Sequence, residues 1–361
     1  MIRDLFSFFS HDLGIDLGTA NILVHVRGKG IAIREPSLVV RHNKTRQVIA
    51  VGRDAKKMLG KTPGTISAIK PLEHGVISDF DAAKYLLQYY IRQLHQFRTR
   101  IPQLARPRVV VGIPSGVTEV ERRAVWEAAL SAGARACYLI EEPMAAVIGA
   151  GVNVFEPTGV MTVDIGGGTT EIAVISLGGI VVNRSLRVAG ADMDQAIINY
   201  IRLRHGLIIG EKTAEDLKIK IGSVYENGDK KKGSDKTNDE RRDKVALIRG
   251  RDIETGLPRS LRINAAEVRE AMSPVASKIV EQIFEVIEET PPELTSDILE
   301  YGVLLTGGGS LIPGMDSLII EHAKIPVTLV TDPLTTVVRG TGKLLEDEQL
   351  LNHVKVTGGL R

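Results

Sequence analysis

The sequence predicts an α/β protein made of two similar lobes that face each other across a cleft. Its 361 residues are too many for one simple hydrophobic core and are enough for two. A unit of strand, glycine turn and strand occurs twice, at residues 16–21 and 164–171, so that Asp16 and Asp164 are 148 residues apart. A third glycine cluster, at residues 304–315, follows another apolar run. Two equivalent halves with facing turns predict a binding site between them.

The second of these turns, residues 164–171, reads DIGGGTTE and lies between apolar runs at residues 159–163 and 172–177. Consecutive glycines reach backbone angles that a Cβ forbids, so the pattern predicts two strands joined by a tight turn. The exposed N–H groups and a threonine hydroxyl can cradle a phosphate, and an aspartate can hold the Mg²⁺ that phosphate brings. The predicted phosphate contacts are Gly166, Gly167, Gly168 and Thr169, and the predicted metal ligand is Asp164. An ordinary glycine-rich hairpin would read the same in this octapeptide alone.

The first turn repeats the same order of strand, aspartate, glycine, threonine and strand. This repetition favours a phosphate-binding turn over an ordinary glycine-rich hairpin. Residues 16–21 read DLGTAN and precede the apolar run at residues 22–26. Two pseudo-equivalent turns indicate a nucleotide clamped by both lobes. The predicted contacts in the first lobe are Gly18, Thr19, Ala20 and Asn21, with Asp16 as a second metal ligand.

Composition narrows the class of protein. The chain is 43% hydrophobic and 25% charged, as in soluble globular proteins. A formal charge of +2 gives no electrostatic support for nucleic-acid binding. Cys137 is the only cysteine, so no intrachain disulfide can form, and its apolar neighbours predict a small core residue rather than a nucleophile. No apolar run is long enough to span a bilayer, and we expect no secretory signal.

Residues 1–10 predict an amphipathic membrane anchor that lies in the plane of the bilayer. Ile2, Leu5, Phe6 and Phe9 fall on one helical face. So many apolar side chains ahead of the first core strand are costly to leave in water, and burial in lipid would remove that cost. The alternative is that this helix packs on its own domain.

Hydrophobic periodicity predicts the remaining elements. We expect strands at residues 109–113, 138–140, 261–264 and 301–305, and helices at residues 79–97, 118–132, 144–149, 195–204, 213–220 and 265–289. Residues 226–244 are dominated by charged side chains and contain almost nothing apolar. Such a segment cannot fold alone, so we expect an exposed, mobile insertion.

Taken in order, the three turns resemble the phosphate 1, phosphate 2 and adenosine motifs of the actin, Hsp70 and sugar-kinase superfamily. Within that superfamily the chain resembles the bacterial actins of the MreB/Mbl family, from about residue 12 to about residue 345. The matching segments are 16–21, 107–114 (PRVVVGIP), 120–123 (VERR), 140–146 (IEEPMAA), 164–171, 290–294 (TPPEL) and 305–309 (LTGGG). The resemblance is specific because the segments agree in order and in spacing.

The resemblance implies an actin-like, ribonuclease H-like fold with two lobes, each divided into a large and a small subdomain. We expect the first lobe at residues 11–146 and 325–361, with a small subdomain at about 33–77. We expect the second lobe at residues 147–324, with a small subdomain at about 187–258 that contains the charged insertion.

The resemblance also implies ATP with Mg²⁺ as the ligand and assigns roles at the site. Glu142 would position the water that attacks the γ-phosphate, with Thr169 assisting, although a carboxylate at a helix start is often only favourable to the helix dipole. Glu215 and Lys218 would hold the adenosine ribose and base; otherwise they form a surface ion pair at spacing i, i+3. The third turn would contribute Gly307, Gly308 and Gly309.

Three further features follow from the family. The loop at residues 99–106 would make a second membrane contact through Ile101 and Leu104, the alternative being a partly buried loop. The helix at residues 118–132 would join paired protofilaments, with Val120 and Trp126 as candidate contacts. Relatives commonly carry an acidic residue at the position of Ala191, and Asp192 is the candidate substitute.

The implied function is a weakly ATP-hydrolysing, membrane-associated cytoskeletal protein that polymerises. Such a protein organises cell-wall synthesis with elongation membrane proteins, on the cytoplasmic face of the inner membrane, and maintains rod shape. An Hsp70-like chaperone would need a peptide-binding domain after the third turn, and a sugar kinase would need a second substrate pocket with a catalytic base. A P-loop NTPase is excluded because no G-x-x-x-x-G-K-[ST] motif occurs.

Overall fold

A duplicated sheet dominates the computed structural model, which describes residues 10–95, 106–225 and 244–356. The strands are β1 (Leu13–Leu17), β2 (Asn21–Val26), β3 (Gly30–Pro36), β4 (Val39–His42), β5 (Val48–Val51), β6 (Ile66–Ile69), β7 (Leu72–Glu73), β8 (Val76–Ile77), β9 (Arg108–Ile113), β10 (Ala136–Glu141), β11 (Val160–Ile165), β12 (Thr170–Ser176), β13 (Gly179–Leu186), β14 (Leu207–Ile208), β15 (Val245–Asp252), β16 (Pro258–Asn264), β17 (Val303–Thr306) and β18 (Val327–Leu329).

The two large sheets have the same topology. The first has the order β3-β2-β1-β9-β10 and the second the order β13-β12-β11-β17-β18. In each, three antiparallel strands are followed by two parallel ones. The register is equivalent as well, because Asp16 pairs with Leu23 as Asp164 pairs with Glu171. The duplication predicted from the turns is therefore present in the strand order.

Helices cover the sheets and lie between them. They are α1 (Gly52–Met58), α2 (Phe80–His95), α3 (Glu119–Ser131), α4 (Glu142–Ala150), α5 (Gly190–His205), α6 (Glu211–Ile221), α7 (Ala265–Glu289), α8 (Pro292–Tyr301), α9 (Met315–Ala323), α10 (Thr336–Glu346) and α11 (Glu348–Val354). In the described part of the chain, 3-10 turns occupy Gly308–Leu311 and Pro333–Thr335. No described helix is long and apolar enough to cross a bilayer.

Each lobe has its own core, and a third core joins the two lobes. Helices α4 and α10 cross so closely that a Cβ at Gly149 or Gly340 would overlap the backbone of the other helix. Around this crossing, Val110 and Ile140 of the first sheet and Ile175 of the second are buried in one cluster. The crossing fixes the sheets relative to each other, which positions their turns.

Two three-stranded sheets and the two-stranded hairpin of β7 and β8 accompany the large sheets in the described residues. The two three-stranded sheets differ in position. One has the order β5-β4-β6 and falls within residues 33–77; the other has the order β14-β15-β16 and includes strands on both sides of the charged insertion. We propose that these sheets are the small subdomains expected from the resemblance. Residues 226–243 of the insertion, residues 1–9 of the anchor, and Ile101 and Leu104 of the second membrane contact lie outside the described residues.

One predicted element needs correction. The strand predicted at residues 301–305 begins at Val303, because Tyr301 ends α8 and Gly302 turns the chain with φ +79°. Strand β18 pairs with β17 of the second sheet, so we propose that the return to the first lobe comes after Leu329 instead of at residue 325. Of the two candidate filament contacts on α3, Val120 is 78% exposed, whereas Trp126 packs against the core of the first lobe.

Candidate nucleotide-binding site

The two phosphate turns meet face to face. A Cβ built on Gly167 would lie 2.5 Å from the Ala20 Cβ, and one on Gly168 would lie 2.5 Å from Thr19 Oγ1. Contacts this short are impossible for real side chains, so only glycine permits the approach. The predicted contacts of the two lobes are therefore brought together at one place.

Both turns are closed in the same way. Gly18 N donates to Asn21 O at 3.1 Å, and Gly166 N donates to Thr169 O at 2.9 Å. The short hairpin of β7 and β8 covers them from the first lobe: Gly75 N donates to Thr19 Oγ1 at 3.0 Å. His74 Nδ1 lies 3.4 Å from Gly168 O of the other lobe. This hairpin therefore contacts the turns of both lobes.

The third turn packs directly on the second. Gly307 has φ +82°, and a Cβ there would overlap Asp164 Oδ1 and Ile165 O. A Cβ on Gly309 would overlap the Ile165 side chain. Gly308 begins the 3-10 turn that leads towards α9. All three predicted glycine motifs thus converge on the end of β11.

Four carboxylates surround this point. The side chains of Asp164 and Glu171 are buried, and those of Asp16 and Glu142 are largely but not completely removed from water. This loss of water raises the pKa of Asp16 to about 7. Burial, followed by the charges of Asp16 and Glu171, raises the pKa of Asp164 to about 8. Asp16 therefore lies close enough to Asp164 for its charge to disfavour ionisation of Asp164.

Glu142 is the third carboxylate, and α4 places it. It is the first residue of that helix, with Pro143 in the first turn, and its Cγ lies near Gly112 of β9, which pairs with Asp16. Burial and the charges of Glu171, Asp16 and Asp164 raise its pKa well above the usual value. A carboxyl group with a raised pKa, facing the phosphate turns, has the chemistry of a proton acceptor.

Glu171 is the fourth carboxylate, and sequence reasoning did not select it as a site residue. Its Oε2 accepts hydrogen bonds from Ser115 N at 3.0 Å and Ser115 Oγ at 2.7 Å, and its Oε1 accepts from Ser185 Oγ at 2.5 Å. Burial raises its pKa to about 7 in spite of these hydrogen bonds. The signal was available, because a hairpin closed at residues 166–169 pairs Asp164 with Glu171. His74 was also missed, and no sequence pattern marked it.

The carboxylates fit a magnesium ion that is held mainly through phosphate. Their oxygens are the hard donors that Mg²⁺ prefers, and a cation would offset the repulsion by which the charge of Asp16 raises the pKa of Asp164. Among the described residues, no group of three or more His, Cys, Asp or Glu side chains could hold a metal ion alone. Mg²⁺ commonly takes one or two carboxylates and completes its shell with phosphate and water, so this donor set suits it.

The predicted adenosine residues lie beside the second turn. Lys218 Nζ donates to Gly190 O at 2.7 Å and pairs with Asp194 at 2.8 Å. Glu215 pairs with Lys56 of the first lobe at 2.7 Å. The alternative prediction, an ion pair between Glu215 and Lys218, is therefore wrong, because each has another partner. A second pair, Lys70 with Glu211 at 2.7 Å, also joins the lobes.

At Ala191 the backbone makes the contact with the second turn. Ala191 N donates to Gly167 O at 2.8 Å, which attaches the start of α5 to the second turn. Asp192, the candidate substitute for an acid at this position, uses its Oδ2 to accept from Ala189 N at 2.8 Å. Its carboxylate therefore caps the helix.

Comparison with known proteins identifies the family. A sequence model of the family described as MreB/Mbl protein matches residues 10–353. The chain is 49% identical to the cell shape-determining protein MreB of Escherichia coli (strain K12). The matched region has 350 residues and covers 96% of each chain.

Several solved structures have a similar fold. MreB5 of Spiroplasma citri bound to ADP matches with a TM-score of 0.85 and 39% identity, covering 95% of this chain and 98% of that one. The same protein bound to AMPPNP matches with a TM-score of 0.85 and 38% identity, covering 94% and 97%. The MamK double helical filament matches in fold alone, with a TM-score of 0.73 and 23% identity over 94% of this chain and 99% of that one. The predicted actin-like α/β fold is confirmed, and the chain belongs to the MreB/Mbl family of cell shape-determining proteins.

Proposed function

We propose that this chain binds ATP with Mg²⁺, hydrolyses it slowly, and polymerises into membrane-associated filaments that organise cell-wall synthesis and maintain rod shape. The observation that carries the proposal is the convergence of three glycine turns on four carboxylates between two equivalent lobes. The relatives named cell shape-determining, the ADP-bound and AMPPNP-bound MreB5 and the MamK filament support it.

The phosphates would lie beside the point where the two turns touch, with backbone N–H groups of both lobes as donors. Gly18, Thr19, Ala20 and Asn21 would contribute from the first lobe, and Gly166, Gly167, Gly168 and Thr169 from the second. The third turn and the pair Glu215 and Lys218 would face the adenosine. Each group of donors comes from a different element, so the ligand would hold the lobes closed.

The metal would be held by Asp16 and Asp164. When bound, Mg²⁺ neutralises charge on the transferring phosphate. The two aspartates occupy equivalent positions of β1 and β11 and would hold the ion from both lobes. Their raised pKa values mean that part of the site is protonated near pH 7, so metal binding would release protons.

Hydrolysis would depend on Glu142. Its carboxylate would accept a hydrogen bond from the attacking water, and its raised pKa makes it a better proton acceptor than an exposed glutamate. Thr169, which is buried at the second turn, would assist in orienting that water. Such positioning is most of what phosphoryl transfer requires from a protein.

Filament assembly on a membrane is the central test. Purified protein with Mg-ATP should appear as filaments by electron microscopy on a lipid monolayer, and nucleotide-free protein should not. Protein that stays monomeric at every concentration under these conditions would overturn the scaffold function. Paired protofilaments are expected to meet through α3, where Val120 is exposed.

Glu142→Ala tests the hydrolytic role. We expect it to retain ATP binding, because the turns supply the phosphate donors, and to lose phosphate release by about 100-fold. Glu281→Ala, an exposed glutamate of α7, is the matched control. Phosphate release is measured under single turnover, and unchanged turnover by Glu142→Ala would remove Glu142 from this role.

Deletion of residues 1–10 tests the membrane anchor. The truncated protein should float poorly with vesicles, because burial of its apolar side chains would supply most of the affinity. Its nucleotide affinity should stay the same, since the turns lie in another part of the chain. Equal flotation of both proteins would show that the anchor lies elsewhere.

A further inference from the structure

A surface cavity of about 460 Å³ lies at the edge of the first sheet that faces away from the phosphate turns. Residues just before β1, at the start of β9 and just before β10 line it. These three strands are parallel, and their other ends carry Asp16 and lead to Ser115 and Glu142. The cavity is therefore separate from the nucleotide cleft.

Three arginines surround a single buried carboxylate in this cavity. Asp12, 9% exposed, accepts from Arg108 N and Arg135 Nη2, each at 3.0 Å. Arg27 reaches it only at 3.8 Å. Glu348 lies 3.6 Å from Arg108, but its side chain is 78% exposed, so water screens its charge. The cavity consequently keeps an excess of positive charge.

The guanidinium groups also keep unused donors, apart from Arg108 Nη2, which donates to Leu345 O at 3.4 Å. Each offers five N–H groups in a planar fork. Among the described residues, no hydrogen-bond acceptor serves the buried Nε atoms of Arg108 and Arg135. Arg108 Nε lies 3.2 Å from Asp12 Oδ2 but lacks hydrogen-bond alignment. Arg27 is about half exposed, so it can turn towards a ligand.

We propose that this cavity binds a phosphate-bearing anion through Arg27, Arg108 and Arg135. Phosphate oxygens match the arginine fork in a bidentate manner, and they supply both the charge and the acceptors that one carboxylate cannot. The volume lies within the range of small-ligand pockets and would accommodate a glycerophosphate group.

The phosphate has two possible sources, an anionic phospholipid headgroup or a soluble phosphate compound. Ser10, the last residue of the predicted membrane anchor, lines the cavity, which favours the headgroup. The inference does not depend on ATP binding. Nucleotide affinity is measured on every variant, so that failure of one proposal is distinguished from failure of the other.

The test uses the full chain and two probes. Glycerol 3-phosphate is titrated by calorimetry, and flotation compares phosphatidylglycerol vesicles with phosphatidylcholine vesicles. Arg135→Gln should weaken binding of the effective probe about tenfold. Arg27→Gln should weaken it about threefold and leaves the two short contacts of Asp12 intact, which protects the test against misfolding. Arg251→Gln, an exposed arginine of β15, removes the same charge elsewhere.

Asp12→Asn should have the opposite effect on anion binding. It removes the carboxylate that competes for the arginines, so the anion should bind more tightly. If Asp12 had only a structural role, this substitution would not tighten binding. Loss of flotation alone identifies the lipid headgroup, and loss of calorimetric binding alone identifies a soluble compound. If the arginine variants match Arg251→Gln with both probes, or if Asp12→Asn does not tighten binding, the proposal is wrong.

Discussion

The carboxylate of Asp164 illustrates how one residue can serve binding at the expense of stability. Burial and two neighbouring carboxylates raise its pKa from 3.8 to about 8. The unfolded chain ionises this group at lower pH than the folded chain does, so unfolding is favoured progressively as the pH rises from about 4 to about 8. A bound cation would remove that cost.

Asp164→Asn should therefore stabilise the nucleotide-free protein. We expect a gain of about 1–2 kcal/mol in the free energy of unfolding at pH 8 and a smaller gain at pH 5, because the folded carboxyl is then largely protonated. Urea unfolding at both pH values measures this difference. The same variant should lose Mg-nucleotide binding.

Asp81→Asn is the matched control, since Asp81 lies exposed at the start of α2. Its stability should change little at either pH. A gain for Asp164→Asn that does not increase with pH would show that the buried charge is not its cause.

Only some carboxylates of the candidate site could be predicted from the sequence. Asp16 and Asp164 were predictable because each occupies the same position in a repeated unit. Glu171 was less visible, since its partners Ser115 and Ser185 come from other elements of the chain. Ser115 is 56 residues away, and no local pattern joins the two.

The glycine turns are the elements that determine how closely the lobes approach. A single Cβ on either Gly167 or Gly168 would collide with the first turn. Neither glycine has a positive φ, so close approach rather than backbone angle requires glycine here. The sequence predicted the turns as tight hairpins; the contact between them became visible only in the folded chain.

Gly167→Ala should separate the turns without unfolding the protein. We expect nucleotide affinity to fall about tenfold, because the phosphate donors of the two lobes would no longer meet at one point. Fluorescent nucleotide titration measures the affinity, and circular dichroism checks the fold. Gly64→Ala is the control, since nothing lies within 4 Å of a Cβ there. Equal affinity in both variants would show that close approach of the turns is not needed.

Periodicity predicted most helices to within a few residues. The long helix was expected at residues 265–289 and is observed at Ala265–Glu289, because Asn264 caps it and Glu267 closes a capping box. The strand at residues 301–305 was misplaced, since apolar Tyr301 belongs to the preceding helix and Gly302 breaks it. An apolar run alone does not distinguish the last turn of a helix from a strand.

Across the described residues of the whole molecule, three ion pairs join the lobes, and two of them lie at the proposed small subdomains. Lys56 with Glu215 and Lys70 with Glu211 join residues 159 and 141 positions apart. Each pair is partly exposed, so each contributes little alone. Glu215 is also a predicted adenosine contact, which would couple nucleotide binding to closure.

Charge reversal tests this coupling. Lys70→Glu would place two like charges across the cleft, so nucleotide should dissociate about threefold faster, and the effect should weaken at high salt. Glu211→Lys in the same chain should restore the slow rate. Stopped-flow release of a fluorescent nucleotide measures both, and a double variant as fast as the single one would exclude the ion pair as the cause.

Overall architecture was more predictable than contacts between the lobes. The repeated turns and the length of the chain indicated two equivalent lobes, and the strand orders confirm this. The partners of Lys56 and Lys70 could not be predicted, because they depend on how far the cleft closes. The arginine cavity was also missed, since its members come from the starts of separate strands and form no sequence motif.

Cys137, the only cysteine of the chain, is 9% exposed within β10, and burial raises the pKa of its thiol. It should react slowly with maleimides. Any thiol introduced at the surface would then be the preferred target, so fluorophores, spin labels or crosslinkers could be attached at chosen places without first replacing a native side chain. Lobe closure and subunit addition could thus be followed by energy transfer in an otherwise unaltered background.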